Sequence, residues 1–318
     1  MYSKGWSKPQ SGRRGAFEER SIPLLQAQVA IAAFQPYLSK YTNPSSIPYY
    51  TRSHSSAETD SNMAFAGKVF VVTGASSGVG RQTVRKLLQA SAVVHALDIN
   101  DIAPHDDLPG RQITYKVDIA SRSEVKAAFE KIALEQQRQD SPWLHGLANC
   151  AGLLRFGGCS TDAQGDEMFE LLWRVNLMGT WHMATEFQER LKAVREADPA
   201  RFKDATTSVV NVGSMASVRG FPFMAAYVAS KHAVLGVSRV LAQELGPAGF
   251  RVNTVAPGPI NTPMLPTEVR GGDGEGAYRG AFKQMSEPEE VADTILFLLG
   301  DGASSISGHL LEVNGGWP

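Results

Sequence analysis

The stretch from Val69 to Leu88 constrains the fold more than any other part of the chain. Val69-Phe70-Val71-Val72 is a short continuous apolar run, as expected of a strand buried on both faces. It leads directly into Thr73-Gly74-Ala75-Ser76-Ser77-Gly78-Val79-Gly80, and then into a helical pattern carried by Val84, Leu87 and Leu88. A strand, a glycine-rich turn and a helix in that order present backbone N–H groups and a helix N-terminus to an anionic group such as a phosphate. The spacing is Gly-x-x-x-Gly-x-Gly rather than the Gly-x-Gly-x-x-Gly of the usual dinucleotide fingerprint. Taken alone, a plain flexible turn explains it equally well.

The segments beyond Leu88 repeat the pattern. Ala92 to Leu97 reads as a second strand and ends at Asp98, 18 residues past Gly80. A carboxylate there accepts hydrogen bonds from the hydroxyls of an adenosine ribose and repels a 2′-phosphate. Neither Ile99 nor Asn100 is basic, and Ser77 rather than a cation precedes Gly78. NAD is therefore expected in preference to NADP, the plain alternative being a turn-forming aspartate. Ile113 to Val117 reads as a third strand ending at Asp118, with Ser121 and Glu124 in capping-box positions for the next helix. Leu144 to Ala148 is a fourth, running into Asn149-Cys150-Ala151-Gly152. Further strands are read at 208–212, 251–255 and 310–313, and a further helix at 287–299. Strand and helix alternate steadily, which implies βαβ units and a parallel sheet with every strand end along one ligand-binding edge.

Three later features carry the candidate chemistry. A long helix is expected over 166–195, and it brings Asn176 amid Leu171, Leu172, Val175 and Met178. A buried amide needs partners, and the reading stays open between packing against backbone and holding a water in a proton path. Ser214 follows the fifth strand, 13 residues before Tyr227. Tyr227 and Lys231, four apart on a helix expected over 225–245, share one face. An ammonium beside a phenol favours the phenolate, giving a proton donor and acceptor suited to carbonyl and alcohol redox chemistry. By itself such a spacing is common on exposed helices.

Composition sets the limits. The 318 residues are 43% hydrophobic and 20% charged, with a net charge of −1, so no global field points to nucleic acid or an anionic membrane. The two cysteines, Cys150 and Cys159, indicate a reducing compartment rather than a disulfide scaffold. No CxxC or HExxH pattern is present, and no metal is expected. Residues 1–62 are rich in Ser, Pro, Gln and Tyr and are expected to form a disordered extension to a domain over 63–318. The apolar patch from Leu24 to Phe34 is too short and polar to span a bilayer. Lys4, Lys8, Arg13, Arg14 and Arg20 point towards a transit peptide, whereas Glu18 and Glu19 point away from one. A cytoplasmic protein is expected, with a mitochondrial signal left open. Residues 259–285, centred on Gly271 to Gly276, read as a loop and candidate lid.

Together, Thr73-Gly74-x-x-x-Gly78-x-Gly80, Asp118, Asn149-Cys150-Ala151-Gly152, Asn176, Ser214, Tyr227-x-x-x-Lys231 and Pro257-Gly258 occur in the order of the classical short-chain dehydrogenase/reductase family. The chain resembles that family over residues 64–318, and departs from its common pattern at Cys150 and Asn314. The resemblance implies an α/β fold: a three-layer Rossmann-type doubly wound sheet of seven mainly parallel strands flanked by helices. It implies an oxidoreductase interconverting an alcohol and a ketone. Tyr227 would be the general acid/base; Lys231 would hold the nicotinamide ribose and lower the Tyr227 pKa. Ser214 would steady the substrate oxygen, and Asn176 would hold a water linking Lys231 to solvent. The turn residues Gly74, Ser76, Ser77, Gly78, Val79 and Gly80 would bind the cofactor with Asp98, Asp118 and Ile119. Asn149, Ala151, Gly152, Pro257, Gly258, Ile260 and Thr262 would complete that site. A homotetramer or homodimer is implied, through the helices near 166–195 and 224–245 and the C-terminal segment.

The walls of the substrate region are read as Leu153, Leu154, Met215, Phe221, Phe223, Met264 and the 265–285 loop. They suit a hydrophobic or cyclic small molecule. Arg155 and Arg219 are candidates for a substrate carboxylate, or else simply solvated. Two other function classes are kept beside the dehydrogenase: a same-fold isomerase or dehydratase, and a non-catalytic cofactor-binding regulatory protein.

Overall fold

The computed structural model describes residues 64–138, 142–155, 165–222, 224–265 and 285–316. The extension of residues 1–62, the patch from Leu24 to Phe34, Phe223 and the glycine-rich part of the expected lid lie outside the described residues.

Seven strands form one parallel sheet. In chain order they are β1 (Val69–Thr73), β2 (Val93–Asp98), β3 (Arg111–Lys116), β4 (Gly146–Asn149), β5 (Thr207–Val212), β6 (Phe250–Pro257) and β7 (Leu310–Val313). Their spatial order is β3-β2-β1-β4-β5-β6-β7, with parallel pairing throughout. The order reverses between β1 and β4, so the crevice beyond their carboxyl ends is the topological switch point of the sheet. The connecting helices are α1 (Gly78–Gln89), α2 (Arg122–Arg138), α3 (Gly165–Leu172), α4 (Thr180–Ala197), α5 (Ala225–Leu245) and α6 (Pro288–Leu299).

Strand β1 shows how one sequence run builds two cores. Val69 and Val71 face a cluster containing Phe129 and Ile132 of α2 and Phe187 and Leu191 of α4. Phe70 and Val72 face the other side, against Val84, Leu87 and Leu88 of α1 and Val291, Ile295 and Leu298 of α6. The alternation is that of a strand. Because both faces are buried, the residues from Val69 to Val72 are all apolar, which is why the run reads as continuous. A third, smaller cluster of Leu154, Leu172, Ala216, Ala226 and Tyr227 lies at the carboxyl edge of the sheet.

The expected helix over 166–195 differs in one respect. Its axis is occupied by α3 and α4, but Trp173–Gly179 between them is a π-helix. Widening the turn changes the hydrogen-bond register, and the Thr180 hydroxyl donates to the Asn176 carbonyl at 2.7 Å. Apolar periodicity over so long a window does not resolve a local change of pitch. The capping box at Ser121 is also only half formed. The Glu124 N–H reaches Ser121 Oγ at 3.4 Å, while the Glu124 carboxylate accepts from the Asp118 N–H at 2.9 Å.

Candidate active site

Beyond the carboxyl ends of the strands lies a cavity of about 620 Å³. The glycine turn between β1 and α1 forms one end. Gly74 has φ +68°, a left-handed conformation, and a side chain there would meet the Ala151 backbone N at 2.8 Å. Gly80 is tighter still, since an added Cβ would collide with the Gly74 carbonyl. Glycine at position 80 lets the turn fold on itself, and glycine at 74 lets it close against the loop after β4, where Ala151 N–H donates to Thr73 Oγ1 at 3.1 Å. Gly74, Ser76, Ser77, Gly78, Val79 and Gly80 all line the cavity.

Asp98 ends β2 beside this turn and is only 8% exposed. One carboxylate oxygen accepts from Ser76 N–H at 3.0 Å; the other accepts from Asn100 N–H at 2.8 Å and Asn100 Nδ2 at 3.2 Å. Each oxygen keeps further acceptor capacity, and the residue borders the cavity. Asp118, Ile119 and Ala120 continue that wall. The cations lining the cavity are Arg155, Arg174 and Lys231; none belongs to the β1–α1 turn or to the end of β2. The chemistry present is that of a dinucleotide cradle: a glycine turn opening a helix, and a carboxylate placed for a ribose. The residues therefore fit a nicotinamide dinucleotide. Pro257, Gly258, Ile260 and Thr262 also line the cavity, with Thr262 close beside Gly78.

Asn149 does not face the cavity. Its side chain lies along the sheet and donates to Asn211 Oδ1 at 2.8 Å, its register partner on β5. The residues after it, Cys150, Ala151 and Gly152, supply the lining instead. Burial pushes the Cys150 thiol up to about 12, against a hydrogen bond with Thr83 and the pull of Lys231. Burial thus favours the neutral thiol.

Ser214, Tyr227 and Lys231 converge at the other end of the cavity. Ser214 sits at the N-cap of a one-turn 3₁₀ helix, Met215–Ser217, where its Oγ accepts from Ala216 N–H at 3.1 Å. Tyr227 and Lys231 are 8% and 5% exposed and lie on the inner face of α5. Burial raises the Tyr227 pKa, and a hydrogen bond with Ser214 is the opposing influence. Burial brings Lys231 down to about 8, with Cys150 pulling the other way. Lys231 Nζ lies 5.8 Å from the tyrosine ring centre and donates to the Val212 carbonyl at 2.8 Å. The side chains share a face, as the spacing implies, and without a cofactor burial is the largest influence on the phenol.

Of the two readings left open for Asn176, its side chain takes the packing one. It is 1% exposed and lies behind the cavity wall rather than in it. Its Oδ1 accepts from Leu153 N–H at 2.7 Å, and its Nδ2 donates to the Leu153 carbonyl and to Ser230 Oγ, both at 3.0 Å. Both amide hydrogens are thereby used within the protein. Of the expected substrate walls, Leu153, Leu154, Met215, Phe221 and Met264 line the cavity, with Leu265 beside them. Arg155 does so and Arg219 does not. Motif and spacing alone pass over Arg174 and Ser230. A signal for Ser230 does exist in the sequence, because a hydroxyl on the inner face of an apolar helix demands a partner.

A parallel sheet with a glycine turn at its switch point, and a tyrosine, lysine and serine in the same cavity, defines a Rossmann-fold nucleotide-binding oxidoreductase. Residues 74–318 match the family model described as enoyl-(acyl carrier protein) reductase. The chain is 33% identical over 264 residues to the 3-oxoacyl-[acyl-carrier-protein] reductase of Thermotoga maritima, covering 80% of this chain and 99% of that protein. It is 33% identical over 258 residues to the 2,5-dichloro-2,5-cyclohexadiene-1,4-diol dehydrogenase of Sphingobium indicum, covering 79% and 97%. A solved short-chain dehydrogenase from Mycobacterium paratuberculosis, bound to NAD, superposes with a TM-score of 0.64 at 25% identity, covering 80% and 98%. The chain belongs to the short-chain dehydrogenase/reductase family.

Among the described residues, no helix is long and apolar enough to cross a membrane, and no cluster of side chains is suited to a metal ion.

Proposed function

We propose that the protein interconverts a secondary alcohol and a ketone on a hydrophobic or cyclic small molecule, with NAD used in preference to NADP. The observation that carries this is the placement of Ser214, Tyr227 and Lys231 in one cavity with the glycine turn and Asp98. When bound, the nicotinamide would supply the hydride acceptor or donor and, when oxidised, a positive charge. In the oxidative direction, the hydride leaves the carbinol carbon and the Tyr227 phenolate takes the hydroxyl proton. Ser214 donates to the substrate oxygen and steadies it. Lys231, largely charged at neutral pH, holds the nicotinamide ribose and favours the phenolate. Asn176 acts by holding the Leu153 wall in place.

The cofactor preference rests on Asp98, whose charge disfavours a 2′-phosphate and which has no cation beside it at the end of β2. The apolar walls of Leu153, Leu154, Met215, Phe221 and Met264 support a hydrophobic substrate. So does the Sphingobium relative, a dehydrogenase of a cyclic diol. Cys150 is a free thiol, which suits the cytoplasm. We place a homotetramer or homodimer contact on the helices from α3 to α5, where Phe169, Trp173 and Val240 are exposed.

The test is a panel of secondary alcohols and ketones, followed by the absorbance of reduced cofactor, with NAD and NADP in parallel. Tyr227→Phe should bind cofactor normally and lose turnover by orders of magnitude. Persistent turnover would refute the assignment of Tyr227, and a strong NADP preference would refute the Asp98 argument.

A further inference from the structure

Ser230 is fully buried between the catalytic tyrosine and lysine, in the second turn of α5. It lines no part of the cavity, and the roles given to Ser214, Tyr227 and Lys231 do not use it. Its hydroxyl has one hydrogen, which it gives to the Tyr227 carbonyl at 2.8 Å. Towards Asn176 it therefore acts as an acceptor only, taking one Nδ2 hydrogen at 3.0 Å. The other Nδ2 hydrogen and Oδ1 pair with the Leu153 carbonyl and N–H. Three elements meet at this amide: the loop after β4, the π segment and α5.

We infer that Ser230 is a positioning residue, holding the Asn176 amide flat against the Leu153 backbone and tying that wall to the turn of α5 that carries Tyr227. The inference rests on the redox reading of the site. Without the Ser230 oxygen, one amide hydrogen is left unpaired in a buried place. The amide must then leave that cost in place or rotate away from Leu153 to find another acceptor. The loop has little room to adjust in any other way. A side chain added at Gly152 would lie 3.2 Å from Asn176 Oδ1 and 3.4 Å from Lys231 Nζ, so the backbone there is wedged between the amide and the lysine. A shift of Leu153 is therefore transmitted to the space where the substrate meets Tyr227.

The experiment uses the full chain with Ser230→Ala, and Ser230→Cys as a size-preserving second variant. Two readouts are taken: hydrogen exchange of the Leu153 amide, and kcat, KM and the pH profile on a substrate found by the alcohol panel. The Leu153 amide should exchange about tenfold faster, the effect of one net hydrogen bond. The kcat value should fall by about as much, while NAD affinity stays within about twofold. In an Asn176→Ala background, Ser230→Ala should add almost nothing to either loss, since both act on the same backbone. Unchanged protection at Leu153 would overturn the coupling. Faster exchange with an unaltered kcat and pH profile would overturn the positioning role. The exchange arm needs no turnover, so failure of the redox reading, seen as an inactive wild type, is distinguished from failure of this inference.

Discussion

Lys231 is expected to weaken the cofactor-free protein that needs it. The residue is 5% exposed, and among the described residues no carboxylate pairs with its ammonium. Burial lowers its pKa from 10.5 to about 8. The unfolded chain binds the proton more tightly, so folding opposes protonation. The penalty is fully present below the folded pKa and disappears as pH rises from about 8 to 10.5. The linkage relation puts it at about 3 kcal/mol at pH 7 and about 1 kcal/mol at pH 9.5. Lys231→Met keeps most of the stem volume and removes the charge. It also removes the bond to the Val212 carbonyl, a loss of about 1.5–3 kcal/mol for a charged donor, so the net change at pH 7 is small. That loss cancels when the same two proteins are compared at two pH values. Wild type should gain about 2 kcal/mol on Lys231→Met between pH 7 and pH 9.5. Urea titrations of both cofactor-free proteins at the two pH values measure this directly. A stability difference independent of pH would refute it, and with it the claim that Lys231 is held charged in a desolvated place.

A buried histidine and a strained glycine give two more expected outcomes. His95 is 1% exposed, bonded through Nδ1 to Tyr115 at 2.9 Å, and its pKa is lowered to about 4 by burial. The unfolded chain binds more protons between about 4 and 6.5, so stability falls as pH drops through that range. The loss is about 2 kcal/mol by pH 5, and His95→Gln should show a flatter pH dependence of its urea midpoint. Gly74→Ala combines a left-handed φ with a 2.8 Å clash against Ala151, and should cost about 2–5 kcal/mol by thermal melting and abolish NAD binding by calorimetry.

The fold is legible in the sequence because its elements are simple in pattern. Each central strand is a short apolar run, and each glycine or aspartate that comes after it marks a strand end. Strand limits differ by a residue or two, as at β3, where Arg111 and Gln112 pair with Val93 and Val94 despite their polarity. An edge strand needs only half its face buried. The candidate site residues are legible as types at spacings, but their directions are not. Asn149 and Asn176 look alike in sequence as polar residues amid apolar ones, yet one runs along the sheet and the other clamps a loop. That difference comes from neighbours distant in the chain. The phenol's pKa escapes the sequence for the same reason. Sharing a helix face says where two side chains start, not where the ammonium ends.

The π-helix at Trp173–Gly179 acts as a phase shifter. In an unbroken α-helix Leu172 and Met183, eleven residues apart, would point within about 20° of each other. Here Leu172 packs with Tyr227 and Leu154 at the site, while Met183 packs with Phe129 and Phe187 in the core below one sheet face. The wider turns thus let one rod address two apolar surfaces from a single stretch of chain. This stretch is therefore sensitive to residue count in a way that it is not to residue type. Exchanging a side chain alters one contact, whereas adding or removing a residue re-indexes everything downstream.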